Sequence, residues 1–249
     1  MDERPKTIFL FDVDGTLTRS RQKIEPKMKE TLQRLKKVVY TAFVGGSDLQ
    51  KQEEQIGDDC LDLFDFGFPE NGVSFYRGRE LVSQESIIEF MGEELHRELV
   101  EFTMRYIADL DIPVKRGTFL ELRRSMINIS PIGRNCSQDE RMMFFSLDKE
   151  RGIRKEMVRE LERRFGERGM HFCIGGQISI DCFPKGWDKT YCLRHLRDFN
   201  TIVFFGDKTE KGGNDYEILT DERTVSVSVS CPEDTIQKID EMLKKVVEK

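Results

Sequence analysis

Apolar runs alternate with amphipathic segments in the first part of the chain. Residues 7–11 and 38–44 are mostly apolar and rich in aromatic and β-branched side chains, which predicts strands buried on both faces. Residues 26–37 have helical periodicity with Pro26 in the first turn, and residues 48–56 predict a second helix. The order strand, helix, strand, helix predicts a parallel α/β sheet.

The pattern changes after about residue 80. Between Ile87 and Leu110, apolar side chains recur every three or four residues, which predicts one long amphipathic helix. Residues 118–123 and 126–130 are two short runs that lie too close together for a crossover helix. They therefore predict an antiparallel pair of strands.

Three further signals belong to this middle stretch. Ser137 and Glu140 have the spacing of a capping box, which predicts the start of a helix, and residues 153–165 predict another helix. Gly175 and Gly176 lie between two short apolar runs and predict a β-hairpin. The middle stretch is therefore predicted to be a separate α+β module with an antiparallel sheet.

The first pattern returns after the middle stretch. Residues 188–196 predict a helix, residues 201–205 and 224–229 predict strands, and Pro232 opens a helix at the end of the chain. The whole chain is therefore predicted to be an α/β protein with an inserted second domain.

The predicted domains are unequal. Residues 1–81 and 187–249 are expected to form a Rossmann-like core with a parallel sheet, and residues 82–186 an inserted α+β cap with an antiparallel sheet. The cleft between two such domains is the default position for a ligand site.

The charge of the chain narrows the classes of partner. The formal net charge is −6 over 249 residues, and the basic runs are short or mixed with acids. Long-range attraction to nucleic acid or to an anionic membrane surface is therefore not expected. An anionic ligand would have to be held by a local group of cations or by a metal ion.

The chain also carries no signal for a membrane or an oxidising compartment. No apolar run approaches the roughly 18 residues that span a bilayer, and the first residues do not resemble a signal peptide. The six cysteines have no C-x-x-C spacing, and there are only three histidines. We expect reduced thiols in a soluble cytoplasmic protein, without a structural zinc site.

Two carboxylates follow the first predicted strand in the stretch FLFDVDGT, residues 9–16. Ligands of open α/β sheets bind at the carboxyl ends of strands, where Asp12 and Asp14 are expected. Asp12 is suited to attack phosphorus and form an aspartyl-phosphate, with Mg²⁺ offsetting the repulsion between like charges. Asp14 is suited to act as general acid and base. A turn with acidic caps is the alternative explanation of the D-x-D pattern alone.

Three signals further along the chain favour the catalytic interpretation. Ser47 ends the second strand in VGGSD and can hold a phosphate oxygen. Lys189 lies at a predicted helix start, where its charge can neutralise phosphate, and Asp207 ends an apolar strand in FFGD, where it suits the metal ion. The four signals in this order resemble the haloacid dehalogenase superfamily of phosphotransferases.

The predicted cap contains candidates for a second phosphate site. Arg123, Arg134 and Arg141 lie near the ends of predicted elements, and Ser179 and Asp181 alternate onto one face of a predicted strand. This set fits a phosphate clamp with contacts to sugar hydroxyls, although isolated arginines are usually solvated surface residues. A monophosphatase needs one phosphate site, whereas a mutase that uses a bisphosphate needs a second, remote one.

Three longer stretches resemble the eukaryotic phosphomannomutase family. They are TFLELRRSMINISPIGRNCSQDER, GGQISIDCFPKGWDKTYCLRHL and FFGDKTEKGGNDYEI, and the similarity extends over essentially the whole chain. The resemblance implies interconversion of mannose 6-phosphate and mannose 1-phosphate, with Mg²⁺ and a hexose 1,6-bisphosphate activator. It also implies a cytoplasmic enzyme that supplies GDP-mannose synthesis and forms a homodimer through its cap domains.

The resemblance assigns individual residues as well. It implies Mg²⁺ on Asp12, the main-chain carbonyl of Asp14, and Asp207. The sugar-phosphate contacts that it implies are Arg21 in the core and Arg123, Arg134, Arg141, Ser179 and Asp181 in the cap. A second cation site of the family matches Leu219, Asp221 and Thr224, although an acid in a turn before a strand also fits ordinary capping. The long helix of residues 86–110 is one candidate dimer surface, but its apolar stripe equally fits the core of the cap itself.

Two other functions remain open at this point. A cap-bearing sugar-phosphate phosphatase would use the same aspartate pair without needing the arginines for a second phosphate. A non-catalytic sugar-phosphate sensor would have no use for a nucleophile, so the presence of Asp12, Asp14, Lys189 and Asp207 together favours an enzyme.

Overall fold

The computed structural model describes residues 4–211 and 213–247. The chain divides into two compact units. The core unit contains the chain up to Gln84 and from Gly186 onward, and the cap unit runs from Glu85 to Lys185.

The helices and strands follow one another in an order typical of an α/β chain with an insertion. They are β1 (Thr7–Asp12), α1 (Pro26–Lys36), β2 (Tyr40–Val44), α2 (Leu49–Ile56), α3 (Cys60–Leu63), β3 (Phe66–Phe68), β4 (Ser74–Arg77), β5 (Glu80–Gln84), α4 (Ile87–Asp109), β6 (Leu120–Leu122), β7 (Ile127–Ile129), α5 (Gln138–Arg151), α6 (Ile153–Phe165), β8 (Met170–Gly175), β9 (Ser179–Pro184), β10 (Thr201–Gly206), α7 (Tyr216–Leu219), β11 (Thr224–Ser228) and α8 (Pro232–Val247). Short 3₁₀ turns cover Pro69–Gly72, Gly166–Arg168 and Lys189–His195.

The core unit is built on a seven-stranded sheet in the order β11-β10-β1-β2-β3-β4-β5. The pairs from β11 to β3 are parallel, and β4 and β5 add an antiparallel edge. All six residues of β1 are buried, because strands and helices cover them on every side. The predicted parallel α/β sheet is thereby confirmed, and its antiparallel edge is a feature that the apolar pattern did not indicate.

The core helices begin where local chemistry favours a helix start. Pro26 occupies the first turn of α1, where its missing N–H costs nothing, and the helix buries Met28, Leu32 and Leu35 against the sheet. The side chain of Asp48 accepts a hydrogen bond from the backbone N–H of Lys51 and caps α2.

The cap unit contains a four-stranded antiparallel sheet in the order β6-β7-β9-β8, as the sequence predicts. Ser137 and Glu140 form a complete capping box at the start of α5, which confirms that prediction. The stripe of α4, from Ile87 through Leu95 to Ile107, is buried within the described residues.

Two predicted helices differ from those observed. Residues 87–109 do not form one uninterrupted helix, because Gly92 has φ +75° and ψ 156°, a positive-φ conformation that favours glycine and breaks the helical hydrogen-bond ladder. The segment predicted as a helix over residues 188–196 is a 3₁₀ turn, Lys189–His195, capped by the Asp188 side chain. None of the described helices has the length and apolar character needed to cross a membrane.

Candidate active site

Three neighbouring strands place candidate side chains at one edge of the core sheet. Because β10, β1 and β2 are adjacent and parallel, their carboxyl ends meet there. Asp12 is the last residue of β1, Asp207 directly follows β10, and the loop that carries Ser47 follows β2. The geometry brings together three residues that the sequence predicted separately.

Asp12 forms part of a buried ionic cluster. The Lys189 Nζ donates hydrogen bonds to Asp12 Oδ1 and to Asp215 Oδ1, the latter at 2.5 Å. Only 4% of Asp12, 2% of Lys189 and none of Asp215 is exposed. Lys189 is the first residue of the 3₁₀ turn and directly follows the capping residue Asp188.

Burial sets the protonation behaviour of this cluster. Burial raises the pKa of the Asp12 carboxyl to about 7, and the charge of Lys189 opposes that rise. Burial by itself would lower the pKa of Lys189, but the charges of Asp12 and Asp215 outweigh it, so the pKa is raised. The ammonium group is therefore held positive, and it offsets the cost of a buried carboxylate.

The same edge offers a set of oxygens for a divalent cation. Ligand atoms of Asp12, Asp207 and Asp215 lie within 4.8 Å of one another. Asp207 Oδ1 is buried without a hydrogen-bond partner among the described residues, and burial raises the pKa of this carboxyl. A side chain at Gly15 would come within 2.1 Å of Asp207 Oδ2, so the glycine, at φ +87°, makes room for the carboxylate. Three carboxylates with an unpaired oxygen fit a hard cation such as Mg²⁺.

Asp14 is fixed by two donors on one oxygen. Its Oδ1 accepts hydrogen bonds from Gln55 Nε2 and from the backbone N–H of Arg21, each at 2.8 Å. Arg21 adopts φ +58°, a left-handed conformation that is unusual for a side-chain-bearing residue. The second oxygen, Oδ2, accepts neither of these two hydrogen bonds. The Arg21 side chain itself is exposed.

A small cavity lies beside these groups. Its volume is about 50 Å³, and its lining includes Asp12, Asp14 and Ser47 together with Lys208 and Asn214. The loop around Ser47 is held by its own backbone, because the Ser47 carbonyl accepts hydrogen bonds from Gln52 Nε2 and the Glu70 N–H. The cavity is therefore lined by the residues predicted as nucleophile, as acid/base and as phosphate ligand: Asp12, Asp14 and Ser47.

The cap unit carries a second polar cluster on one face of its sheet. Glu121 pairs in register with Asn128 on the next strand, and Asn128 pairs with Asp181 on the strand after that. Side chains directly opposite one another across strands lie on the same face. This polar row carries one predicted sugar-binding residue, Asp181, and two residues that sequence reasoning missed.

Two predicted arginines attach to that row. Glu121 Oε2 accepts hydrogen bonds from Arg123 Nη2 at 2.7 Å and forms an ion pair with Arg134 Nε at 2.9 Å. Asn128 accepts from Arg134 and donates to Asp181 Oδ1 at 2.6 Å. Burial raises the pKa of Asp181, while Asn128, Arg123 and Arg134 act in the opposite direction. The structure thus brings Arg123, Arg134 and Asp181 into one network.

The remaining predicted cap residues are placed differently. Ser179 is buried at the start of β9, and its carbonyl accepts a hydrogen bond from the buried Arg154 at 3.0 Å. Arg141 lies in the first turns of α5, and among the described residues no hydrogen bond or ion pair reaches its guanidinium group. The contacts therefore connect Arg123 and Arg134 but do not connect Arg141 to them.

The residues predicted for a second cation site are engaged with one another and with their neighbours. Both carboxylate oxygens of Asp221 bind the Arg223 guanidinium, at 2.8 and 2.6 Å. Thr224 Oγ1 donates to the Ile218 carbonyl at 2.8 Å, and the Leu219 carbonyl accepts from Ser226. The second cation site stays a prediction.

Sequence reasoning missed four residues that the geometry places in or beside the two clusters. They are Gln55, Glu121, Asn128 and Asp215. Asp215 had a signal, since it follows Asp207 in the glycine-rich loop. The other three have no local motif, because their roles depend on which side chains face them in the fold.

Sequence comparison links the whole chain to one enzyme family. A family model described as eukaryotic phosphomannomutase matches residues 28–245. A phosphomannomutase of Encephalitozoon cuniculi is 57% identical over 97% of this chain and 95% of its own length. Phosphomannomutases of Schizosaccharomyces pombe and Saccharomyces cerevisiae are 58% and 52% identical, over 94% and 96% of this chain and 93% and 95% of their own lengths.

Comparison with solved structures shows the fold. A haloacid dehalogenase-like hydrolase from Bacteroides thetaiotaomicron aligns with a TM-score of 0.58 at 14% identity, over 95% of this chain and 99% of that one. A trehalose-6-phosphate phosphatase of Aspergillus fumigatus aligns with a TM-score of 0.58 at 17% identity, over 96% and 93%. The α/β core with an inserted α+β cap is thus the fold of the haloacid dehalogenase superfamily.

Proposed function

The chain belongs to the eukaryotic phosphomannomutase family, and on that premise we propose how its two polar clusters share one reaction. The reaction is the interconversion of mannose 6-phosphate and mannose 1-phosphate, so the protein is an isomerase that moves a phosphoryl group. The core unit performs the transfer, and the cap unit binds the part of the substrate that is not reacting.

The buried contact between Lys189 and Asp12 carries this proposal. Lys189 occupies Asp12 Oδ1, which leaves the other carboxylate oxygen to act as nucleophile. Both side chains are almost completely buried. A charge fixed in a low-dielectric site stabilises developing charge without having to reorient, which is the main source of catalytic power in such centres.

The first half of the reaction forms an aspartyl-phosphate. The free carboxylate oxygen of Asp12 attacks a phosphorus atom of hexose 1,6-bisphosphate, and the bond from that phosphorus to the sugar oxygen breaks. Asp14 donates a proton to the leaving sugar oxygen, which yields a hexose monophosphate. The hydrogen bonds from Gln55 and Arg21 hold Asp14 Oδ1, so its second oxygen is the one that exchanges the proton.

The second half reverses these steps on the other end of a sugar. A hexose monophosphate binds with its free hydroxyl toward Asp12. Asp14 removes the hydroxyl proton, the sugar oxygen attacks phosphorus, and the bond between phosphorus and Asp12 breaks. The bisphosphate and the Asp12 carboxylate are regenerated, so atoms and charge balance over a cycle.

A magnesium ion fits the acidic edge of the core site. Asp12, the Asp14 carbonyl and Asp207 are the proposed ligands, and Asp215 lies within reach of the same position. A bound Mg²⁺ would supply neutralisation of phosphate charge. Ser47 and Lys189 bind the oxygens of the reacting phosphate. From the family resemblance, we also propose a second cation at Leu219, Asp221 and Thr224.

The cap cluster supplies the second phosphate site in this proposal. Arg123, Arg134 and Arg141 bind the distal phosphate, while Ser179 and Asp181 bind sugar hydroxyls. Arg21 contributes a further contact from the core. The network from Arg123 and Arg134 to Asp181 supports this arrangement, because it links the proposed phosphate-binding arginines to a proposed sugar-binding carboxylate through Glu121 and Asn128.

The family resemblance also carries the cellular part of the proposal. The enzyme would work in the cytoplasm and supply GDP-mannose synthesis. It would form a homodimer through its cap, whose surface exposes the apolar side chains of Leu122, Met142 and Ile174. Sedimentation of the purified protein, with Leu122→Lys as the variant, measures whether this surface holds a dimer.

Phosphorus NMR separates the mutase from the phosphatase. The protein is incubated with Mg²⁺, mannose 1-phosphate and a trace of glucose 1,6-bisphosphate. We expect mannose 6-phosphate to appear without inorganic phosphate. Accumulating inorganic phosphate would mean that water reaches the aspartyl-phosphate, and the activity would then be that of a sugar-phosphate phosphatase.

A further inference from the structure

One carboxylate oxygen binds the side of the Arg123 guanidinium group that is predicted to bind phosphate. Glu121 Oε2 accepts hydrogen bonds from Arg123 Nη2 at 2.7 Å and from Arg123 Nε at 3.2 Å. These two N–H groups form the side of the guanidinium fork that grips carboxylate or phosphate. The same oxygen lies 2.9 Å from Arg134 Nε, so a single acid joins both arginines.

The ion pairs around Glu121 are open to exchange. The side chains of Arg123, Arg134 and Glu121 are 31%, 32% and 37% exposed. Pairs that water can reach are weak, because solvent screens their attraction and holding two long side chains costs entropy. A phosphate dianion carries more charge and more acceptor oxygens than a carboxylate, so it can replace Glu121 on both guanidinium groups.

We propose that Glu121 is an internal counter-anion that competes with the distal phosphate for Arg123 and Arg134. With no phosphate bound, it keeps the two cations side by side and limits their repulsion. With a phosphate bound, the carboxylate withdraws from the Arg123 edge. The competition lowers the affinity for every anion, and only a phosphate group regains enough binding free energy to displace the acid.

This inference rests on the proposed role of the cap arginines, and it predicts the sign of a mutational effect. Glu121→Gln keeps the shape of the side chain but removes its charge, so the internal competitor is weakened. We expect mannose 6-phosphate to bind about 3- to 10-fold more tightly, by the loss of a competing state. A carboxylate that merely positions the arginines would give the opposite result, a weaker complex.

Isothermal titration of the full-length protein with mannose 6-phosphate, in the presence of Mg²⁺, tests the sign. Glu98→Gln is the matched control, since Glu98 pairs with Arg168 in the same unit at a similar exposure of 38%. We expect its affinity to equal that of the wild type. Thermal unfolding of both variants checks that neither change disturbs the fold.

Arg123→Ala separates failure of this inference from failure of the proposed function. We expect Arg123→Ala to bind mannose 6-phosphate more weakly. If it binds as well as the wild type, the clamp and the proposed second phosphate site are both wrong. If Arg123→Ala weakens binding while Glu121→Gln leaves it unchanged or weakens it, the clamp stands and the competing role of Glu121 is overturned.

Discussion

The polar clusters of the core and cap units differ in how far water reaches them. In the core, Lys189 and the two carboxylates that it joins are almost completely buried. In the cap, Arg123, Arg134 and Glu121 are each about a third exposed. Both clusters pair cations with acids, so composition alone does not distinguish them.

The difference in burial fits a difference in work. A buried, paired charge keeps one geometry, which a centre for bond making requires. Paired charges near solvent exchange partners at low cost, which suits the binding and release of an anion. Substitutions that change a buried group in one unit and leave the other unit intact therefore test whether burial separates the two clusters.

Removing Asp12, the proposed nucleophile, tests the core cluster most severely. Asp12→Asn leaves a side chain of the same shape that cannot attack phosphorus, so we expect interconversion to fall on the order of 10⁶-fold, the scale seen when an enzyme loses its nucleophile. A coupled assay of mannose 6-phosphate formation measures it. Asp62→Asn, which removes an exposed acid paired with Arg79, is the control and should keep full activity. A rate within tenfold of the wild type in Asp12→Asn would reject Asp12 as nucleophile.

Removing the buried cation tests whether the charges of the core cluster are shielded from water. Lys189→Met leaves Asp12 and Asp215 buried without their counter-charge. We expect the free energy of unfolding to fall by about 3–5 kcal/mol, the usual cost of breaking a buried ion pair from one side. Urea denaturation without added Mg²⁺ measures it, with Lys238→Met in a partly exposed pair as the control. A loss below about 1 kcal/mol would mean that water reaches the cluster.

The cap has a buried ion pair of its own, between Arg154 and Asp148. Arg154 donates to Asp148 Oδ2 at 2.8 Å and to the carbonyls of Gly176 and Ser179. Arg154→Leu should therefore also cost about 3–5 kcal/mol of unfolding free energy. Arg163→Leu, which breaks an exposed pair with Glu160, should cost about 0.5 kcal/mol. If urea denaturation shows equal losses of unfolding free energy for Arg154→Leu and Arg163→Leu, burial does not determine what breaking an ion pair costs.

Arg141→Ala has a smaller expected effect than the loss of Asp12, Lys189 or Arg154, and it decides between the two enzyme classes. Arg141→Ala should cost about 2 kcal/mol of phosphate binding, at the low end for a charged pair because this side chain is half-buried. That loss corresponds to about a 30-fold rise in KM for mannose 1-phosphate. A phosphatase that binds only the reacting phosphate would show an unchanged KM in the same steady-state assay.

The positions of Asp12 and Asp207 at the sheet edge could be predicted because each acid ends or follows a largely apolar strand. The run before Asp12 and the run before Asp207 are continuous, so their ends, and hence the acids, stand out in the sequence. The antiparallel edge could not be predicted in the same way. Ser74–Arg77 is only four residues long, and Glu80–Gln84 is largely exposed, so neither has a distinctive apolar pattern.

The cap network depends on strand register, which a single sequence does not specify. Glu121, Asn128 and Asp181 come together because they are direct partners across three strands. A shift of one residue in either pairing would turn side chains to the other face. The break at Gly92 had a local signal, the glycine itself, but the helical periodicity around it is strong enough to predict an uninterrupted helix.

Mapping the phosphorylated residue tests whether Asp12, in the buried core cluster, forms the bond to phosphorus. The protein is mixed with Mg²⁺ and hexose 1,6-bisphosphate, the reaction is quenched in acid, and the protein is digested. Mass spectrometry then identifies the phosphorylated peptide and residue. We expect one phosphoryl group on Asp12, absent from the Asp12→Asn variant. A phosphoryl group on Asp14 or another residue, or its persistence in Asp12→Asn, would contradict the division of work between the buried core cluster and the exchangeable cap cluster.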